Sequence, residues 1–276
     1  MVYAGIVLAV VAALVAVRWS GAARSLAYWP SREPFETPDG YEDVAFTTDD
    51  GVRLHGWFMP AEGGGEGPAP TVIHLHGNAG HIWYHEPFSD YLLPRGMNVL
   101  LFDYRCYGRS DEQGPVRREG LMLDALASLE YLLTREDVDA DRIGALGMSL
   151  GSAFALELAS RREEVRSVAT IGAFSTWKGA ASDAIPLLGP FLFPGGMDPI
   201  DALEGLGERP YLIVHGTRDG VIEHRHAEIL RARCEALGVD ATLRSVRGGD
   251  HVRILEEHPE VEEEIADFFA RTLGVE

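Results

Sequence analysis

Three residues of this chain have the types and the order needed for nucleophilic attack on a carbonyl carbon: Ser149, Asp219 and His251. A serine hydroxyl is a weak nucleophile until a base takes its proton. That base needs a third group to hold its tautomer and stabilise its charge. Ser149 lies in Gly147-Met148-Ser149-Leu150-Gly151, a G-x-S-x-G. The run 142–146 before it is short and apolar, as a buried strand is. Leu150, Ala153, Phe154, Leu156, Leu158 and Ala159 after it read as a buried helix. Strand, sharp turn and helix are the context in which this motif exposes a serine hydroxyl. A turn that tight brings backbone segments too close for a Cβ, hence the two glycines. Alone the motif is weak, because a chain with 31 glycines produces it by chance.

The partners carry more weight. Asp219 closes His215-Gly216-Thr217-Arg218-Asp219, just past the apolar run 210–214. His251 closes Gly248-Gly249-Asp250-His251, just past 241–246. Serine, then aspartate, then histidine is the chain order of nucleophile, orienter and base on a parallel α/β sheet. Asp250 is a rival orienter, but a sequence neighbour of His251 aligns poorly with its imidazole. The strand ending at His76 is followed by Gly77-Asn78-Ala79-Gly80. The N–H of Asn78 and that of Leu150 are expected to form an oxyanion hole, which contributes ~3–4 kcal/mol per donor to the transition state.

Other chemistry finds less support. His74-x-His76 and His224-x-His226 have alternate spacing, but no carboxylate or cysteine joins them at ligand spacing, so no metal and no cofactor is expected. Cys106 and Cys234 fall in different elements and suggest neither a disulfide framework nor a zinc site. A net charge of -19 argues against nucleic acid as a partner, because phosphate binding needs clustered cations.

These residues require a scaffold, and the remaining pattern supplies one. The chain of 276 residues is long enough for one large α/β domain. Runs 44–48 and 52–58 flank Asp49-Asp50-Gly51 as a β-hairpin. Strand and helix patterns then alternate, with strands over 71–76, 97–103, 142–146, 165–171, 210–214 and 241–246 and a helical pattern over 81–94. The expected fold is α/β, a mostly parallel eight-stranded sheet with helices on both faces. Residues 173–199 are apolar and poorly periodic and are expected to form a short lid, with Phe191 and Phe193 lining an acyl pocket.

Residues 2–17 carry no charge, and Arg18, Trp19, Arg24 and Arg32 follow. A bilayer span needs ~20 residues, and a snorkelling Arg18 extends this one. The expectation is an N-terminal transmembrane helix over 1–19, a linker over 20–40 and a catalytic domain over 41–276. The positive-inside rule would put that domain in the cytoplasm. A cleaved signal peptide ending at Ser20-Gly21-Ala22 is the alternative, but it lacks a basic segment before the apolar run.

From about residue 41 to 273 the chain resembles the α/β-hydrolase superfamily. The resemblance rests on His76-Gly77-Asn78-Ala79-Gly80, the stretch Asp103–Ser110, Gly147–Gly151, His215–Asp219 and Gly249-Asp250-His251. With its apolar N-terminus it is similar to small membrane-anchored hydrolases of the serine aminopeptidase-like and depalmitoylase-like kind. Cys106 departs from the pattern, standing where such proteins usually carry Gly. The resemblance implies hydrolysis of a small or lipid-like acyl ester or thioester. A peptidase of the aminopeptidase type and a non-catalytic binding module are the alternatives.

Overall fold

The computed structural model describes residues 28–63, 67–186, 189–193 and 195–275. Its strands are β1 (Trp29–Pro30), β2 (Glu42–Thr47), β3 (Arg53–Met59), β4 (Ala69–Leu75), β5 (Ala79–Gly80), β6 (Asn98–Phe102), β7 (Val138–Met148), β8 (Val165–Ile171), β9 (Tyr211–Gly216) and β10 (Ala241–Val246). The longer helices are α1 (Arg118–Leu133), α2 (Leu150–Arg161), α3 (Trp177–Ala184), α4 (Arg225–Leu237) and α5 (Glu260–Leu273). Among the described residues, eight strands form one sheet in the order β10-β9-β8-β7-β4-β6-β3-β2. The pairs β2–β3 and β3–β6 are antiparallel, and the rest are parallel.

Alternate side chains of a strand face opposite sides of a sheet. Here both sides are buried. Ile73, Leu75, Leu100, Phe102 and Ala145 pack into one apolar cluster with Phe154 and Leu158 of α2 and Leu121 and Leu129 of α1. Val72, Val99, Leu101, Leu146 and Met148 pack into the other with Val261, Ile265, Phe268, Phe269 and Leu273 of α5. That stripe of α5 is the apolar face read from its helical spacing. Covering both faces leaves the C-terminal ends of the parallel strands as the open rim, where such sheets carry ligands.

Three regions differ from expectation. Residues 81–94 form one α-helical turn (Ile82–His85) followed by two 3₁₀ segments (Glu86–Phe88 and Asp90–Arg95). Pro87 and Pro94 lack the N–H that an α-helical ladder needs. Residues 28–40, expected as part of a linker, pack on the domain. Trp29 and Pro30 pair in parallel with Ala79 and Gly80, and Phe35 stacks on His81 with centroids 4.2 Å apart.

The single-pass membrane anchor is the third. Among the described residues no helix is long and apolar enough to cross a membrane. Residues 1–19 lie outside the described residues, so nothing in the structure supports a span there. The membrane partner and the cytoplasmic placement built on that span are withdrawn.

Candidate active site

Ser149 sits between β7 and α2 with φ 50° and ψ -111°, a conformation rare for a residue with a Cβ. Neighbouring backbone over-determines it. The Ser149 N–H donates to the Ile171 carbonyl at 2.8 Å, and Ser152 Oγ donates to the Gly147 carbonyl at 2.9 Å. The flanking glycines are obligatory. A Cβ on Gly151 would lie 1.8 Å from the Leu75 carbonyl oxygen, and one on Gly147 would lie 2.6 Å from Ser152 Cα.

The three residues singled out by type and order come together at the rim. His251 Nε2 lies 2.9 Å from Ser149 Oγ, and His251 Nδ1 lies 2.6 Å from Asp219 Oδ2. A carboxylate only accepts, so Nδ1 carries the proton and Nε2 is left to accept from the serine hydroxyl. Asp219 Oδ1 accepts from the N–H groups of Val221 (2.9 Å) and Ile222 (2.8 Å), which aims the other oxygen at His251. Burial pushes the Asp219 carboxyl pKa up. The hydrogen bonds from His215 and His251 outweigh it and hold the group well below the usual carboxylate range. Asp250 Oδ1 instead accepts from the N–H groups of Val252 (2.9 Å) and Arg253 (2.6 Å), closing its own turn.

Asn78 and Leu150 flank Ser149 from two elements. Leu150 is the first residue of α2, so its N–H belongs to the unpaired first turn. Asn78 lies in the loop after β4, and that loop is held at several points. The Tyr107 hydroxyl lies 2.9 Å from the Asn78 carbonyl and 3.1 Å from its Oδ1. His85 Nε2 donates to the Ala79 carbonyl at 2.9 Å, and the Ser31 N–H donates to the Gly80 carbonyl at 2.9 Å.

A cavity of about 990 Å³ opens over these groups. Ser149, His251, Gly77 and Asn78 form its polar floor. Phe174, Trp177, Ile185 and Phe193 supply an apolar wall from the 173–199 segment, and Trp29, Tyr84 and Phe88 supply another. Phe193 thus lines the cavity. Phe191 does not line the cavity and is 38% exposed. Leu187, Leu188 and Pro194 of the same segment lie outside the described residues. Among the described residues, no three His, Cys, Asp or Glu side chains are grouped so as to hold a metal ion.

Three neighbours of the site escaped the sequence reading. Gly172, directly after β8, has φ +64°, and a Cβ there would lie 2.9 Å from His251 Cε1. Its signal was a glycine ending the strand beside the nucleophile strand. Tyr107 could have been found only as one aromatic of a loop that already drew notice. His215 was read as the start of the aspartate motif, yet its Nε2 lies 3.3 Å from Asp219 Oδ2.

This sheet, with a serine at its elbow and an aspartate and a histidine past later strands, defines an α/β hydrolase, and the chain belongs to that superfamily. The family model described as "alpha/beta hydrolase fold" matches residues 70–198. The YfhR protein of Escherichia coli, itself described as uncharacterized, is 31% identical over 253 residues, covering 90% of this chain and 87% of its own. The α/β-hydrolase domain-containing protein WAV2 of Arabidopsis thaliana is 28% identical, covering 77% and 72%. Among solved structures, an esterase of Pyrococcus furiosus superposes with a TM-score of 0.77 at 23% identity, covering 89% of this chain and 97% of its own. At that identity the likeness speaks to the fold.

Proposed function

We propose that this hydrolase cleaves carboxylic esters or thioesters of apolar acyl groups through a covalent acyl-enzyme on Ser149. The observation that carries the reading is the unbroken line Ser149–His251–Asp219, at 2.9 and 2.6 Å, opening on a mostly apolar cavity. His251 Nε2 takes the hydroxyl proton as Oγ attacks the acyl carbon. The tetrahedral oxyanion is held by the N–H groups of Asn78 and Leu150. His251 then gives its proton to the leaving oxygen or sulfur. In the second half it takes a proton from water, whose oxygen attacks the acyl carbon, and the acid departs with Ser149 restored. Asp219 stays ionised throughout and stabilises the imidazolium.

The test is turnover of p-nitrophenyl acyl esters from short to long chain, with Ser149→Ala as control. Wild type should turn over with an optimum set by the cavity, and Ser149→Ala should lose at least ~10⁴-fold in kcat while keeping its fold. Aminoacyl amides run alongside separate an esterase from a peptidase. Absence of turnover together with no labelling by a fluorophosphonate would leave a binding module.

A further inference from the structure

We infer that His85 is a positioning residue of the oxyanion loop, an imidazole that braces residues 77–79 so that the Asn78 N–H faces the serine. The inference rests on the proposed acyl-enzyme reading, and it assigns a role that Ser149, Asp219 and His251 do not contain.

A peptide group is planar and trans, so fixing one residue's carbonyl fixes the direction of the next residue's N–H. Three successive carbonyls of this loop are held. His76 Nδ1 donates to the Gly77 carbonyl at 2.7 Å, the Tyr107 hydroxyl to that of Asn78 at 2.9 Å, and His85 Nε2 to that of Ala79 at 2.9 Å. The first of these orients the peptide that bears the Asn78 N–H. The third orients the peptide two further on.

His85 reaches both sides of Asn78. Its Nε2 holds Ala79, and its ring lies against Gly77, where a Cβ would stand 3.0 Å from His85 Cε1. The same ring stacks on His76, with centroids 5.0 Å apart and planes 30° from parallel. One side chain thus ties the far end of the loop and backs the imidazole that orients the Asn78 N–H. The turn Ile82–His85 that carries it is anchored in its own right. The Ile82 N–H donates to Asp103 Oδ1 at 3.0 Å, and Asp103 is buried directly after β6.

The proton on His85 is placed by its partner. A carbonyl only accepts, so Nε2 carries the hydrogen, and Nδ1 is buried without a partner. Burial holds this imidazole down to about 4, so it serves as a neutral donor. Losing it frees the Ala79 carbonyl and strips His76 of its stacking neighbour. The Asn78 N–H can then turn from the oxyanion while the acyl cavity stays as it is, so the loss falls on kcat and not on KM.

The experiment compares wild type, His85→Leu and His85→Gln. Glutamine places an N–H near the position of Nε2 and is the rescue. For a p-nitrophenyl ester, kcat should fall roughly three- to tenfold in His85→Leu with KM within about twofold, and His85→Gln should keep at least about half of wild-type kcat. An alkyl trifluoromethyl ketone reads the oxyanion directly. Ser149 Oγ adds to its carbonyl carbon, His251 takes the hydroxyl proton, and the former carbonyl oxygen becomes the oxyanion. Its inhibition constant should rise in His85→Leu by the factor lost in kcat. Should His85→Leu not fold, His85→Asn, whose amide is too short to reach Ala79, replaces it as the loss variant. Nitrogen NMR of wild type at neutral pH should show His85 with its proton on Nε2, and this does not depend on turnover. A folded loss variant with wild-type kcat, an equal loss in His85→Gln, a change confined to KM, or a wild-type proton on Nδ1 overturns the inference. A wild type with neither turnover nor fluorophosphonate labelling, but with the proton on Nε2, would instead sink the esterase reading and leave the His85 brace standing.

Discussion

Gly172 offers the most direct perturbation of the site, because it touches the imidazole without being part of it. A Cβ at position 172 would stand 2.9 Å from His251 Cε1, 3.0 Å from Nδ1 and 3.5 Å from Asp219 Oδ2, where ordinary contact begins at 3.4 Å. The ring in Gly172→Ala must therefore move by about 0.5 Å, away from a position that holds a 2.6 Å and a 2.9 Å hydrogen bond at once. Misplacement of a reacting group by 1 Å costs on the order of 10²-fold in rate, so half of that predicts a loss of roughly tenfold in kcat. The φ of +64° adds a backbone cost of about 1–2 kcal/mol, a fall in Tm of several degrees for a domain of this size. The assay is kcat and KM for a p-nitrophenyl ester at least 10 °C below the variant's Tm, with thermal melting alongside. A kcat equal to wild type would refute the argument, because it would mean the imidazole is not seated against Gly172. A loss that disappears on cooling would assign the effect to unfolding instead.

Three further perturbations follow from the same geometry. Tyr107→Phe removes the hydroxyl that holds Asn78, and one neutral hydrogen bond is worth about 1 kcal/mol, so kcat should fall about fivefold with KM less affected; a change confined to KM would dissociate Asn78 from the oxyanion. Cys106 has φ 70°, so Cys106→Gly should leave stability unchanged or raise it by up to about 1 kcal/mol, while Cys106→Val should lower it by about 1–2 kcal/mol; equal melting temperatures for the two variants would refute the strain. Burial holds His74 and His76 well below the ordinary imidazole range and His85 down to about 4, whereas burial pushes Asp124 up to about 6 against the pull of Arg105. Between the unfolded imidazole value near 6.5 and about pH 4, the unfolded chain binds protons that the three folded histidines refuse. Asp124, protonated in the fold, offsets one of these three. Stability should therefore fall as pH drops through this window, by about 3 kcal/mol per pH unit at its steepest, and flat denaturant midpoints from pH 7 to 5 would refute it.

How much of this was legible in the sequence depended on the range of each interaction. Alternation of apolar runs is a local signal, and it located the eight strands and their mostly parallel sheet, because burial on both faces imposes it. Ser149, Asp219 and His251 were legible because each lies just past a strand, and strand ends converge on one rim whatever the loops do. The segment from residue 28 to 40 was not. Its prolines and polar residues read as linker, and what orders it is contact with the distant loop at Ala79 and Gly80. Phe191 and Phe193 illustrate the same limit two residues apart, since one is exposed and the other lines the cavity, in a segment whose sequence has no clear period.

Gly172 and His215 mark where composition stops informing. Neither has a chemical signature of its own. Each matters because β8 lies beside the strand that leads to Ser149, and β9 beside β8, in a register that brings Gly172 against the His251 ring and His215 Nε2 to 3.3 Å from the Asp219 carboxylate. Ser149, Asp219 and His251 can be named from residue types, but the seating of the His251 ring depends on Gly172, which only the sheet order brings against it. Gly172→Ala therefore tests the register of the sheet through the seating of His251, which no change to the three named residues can do.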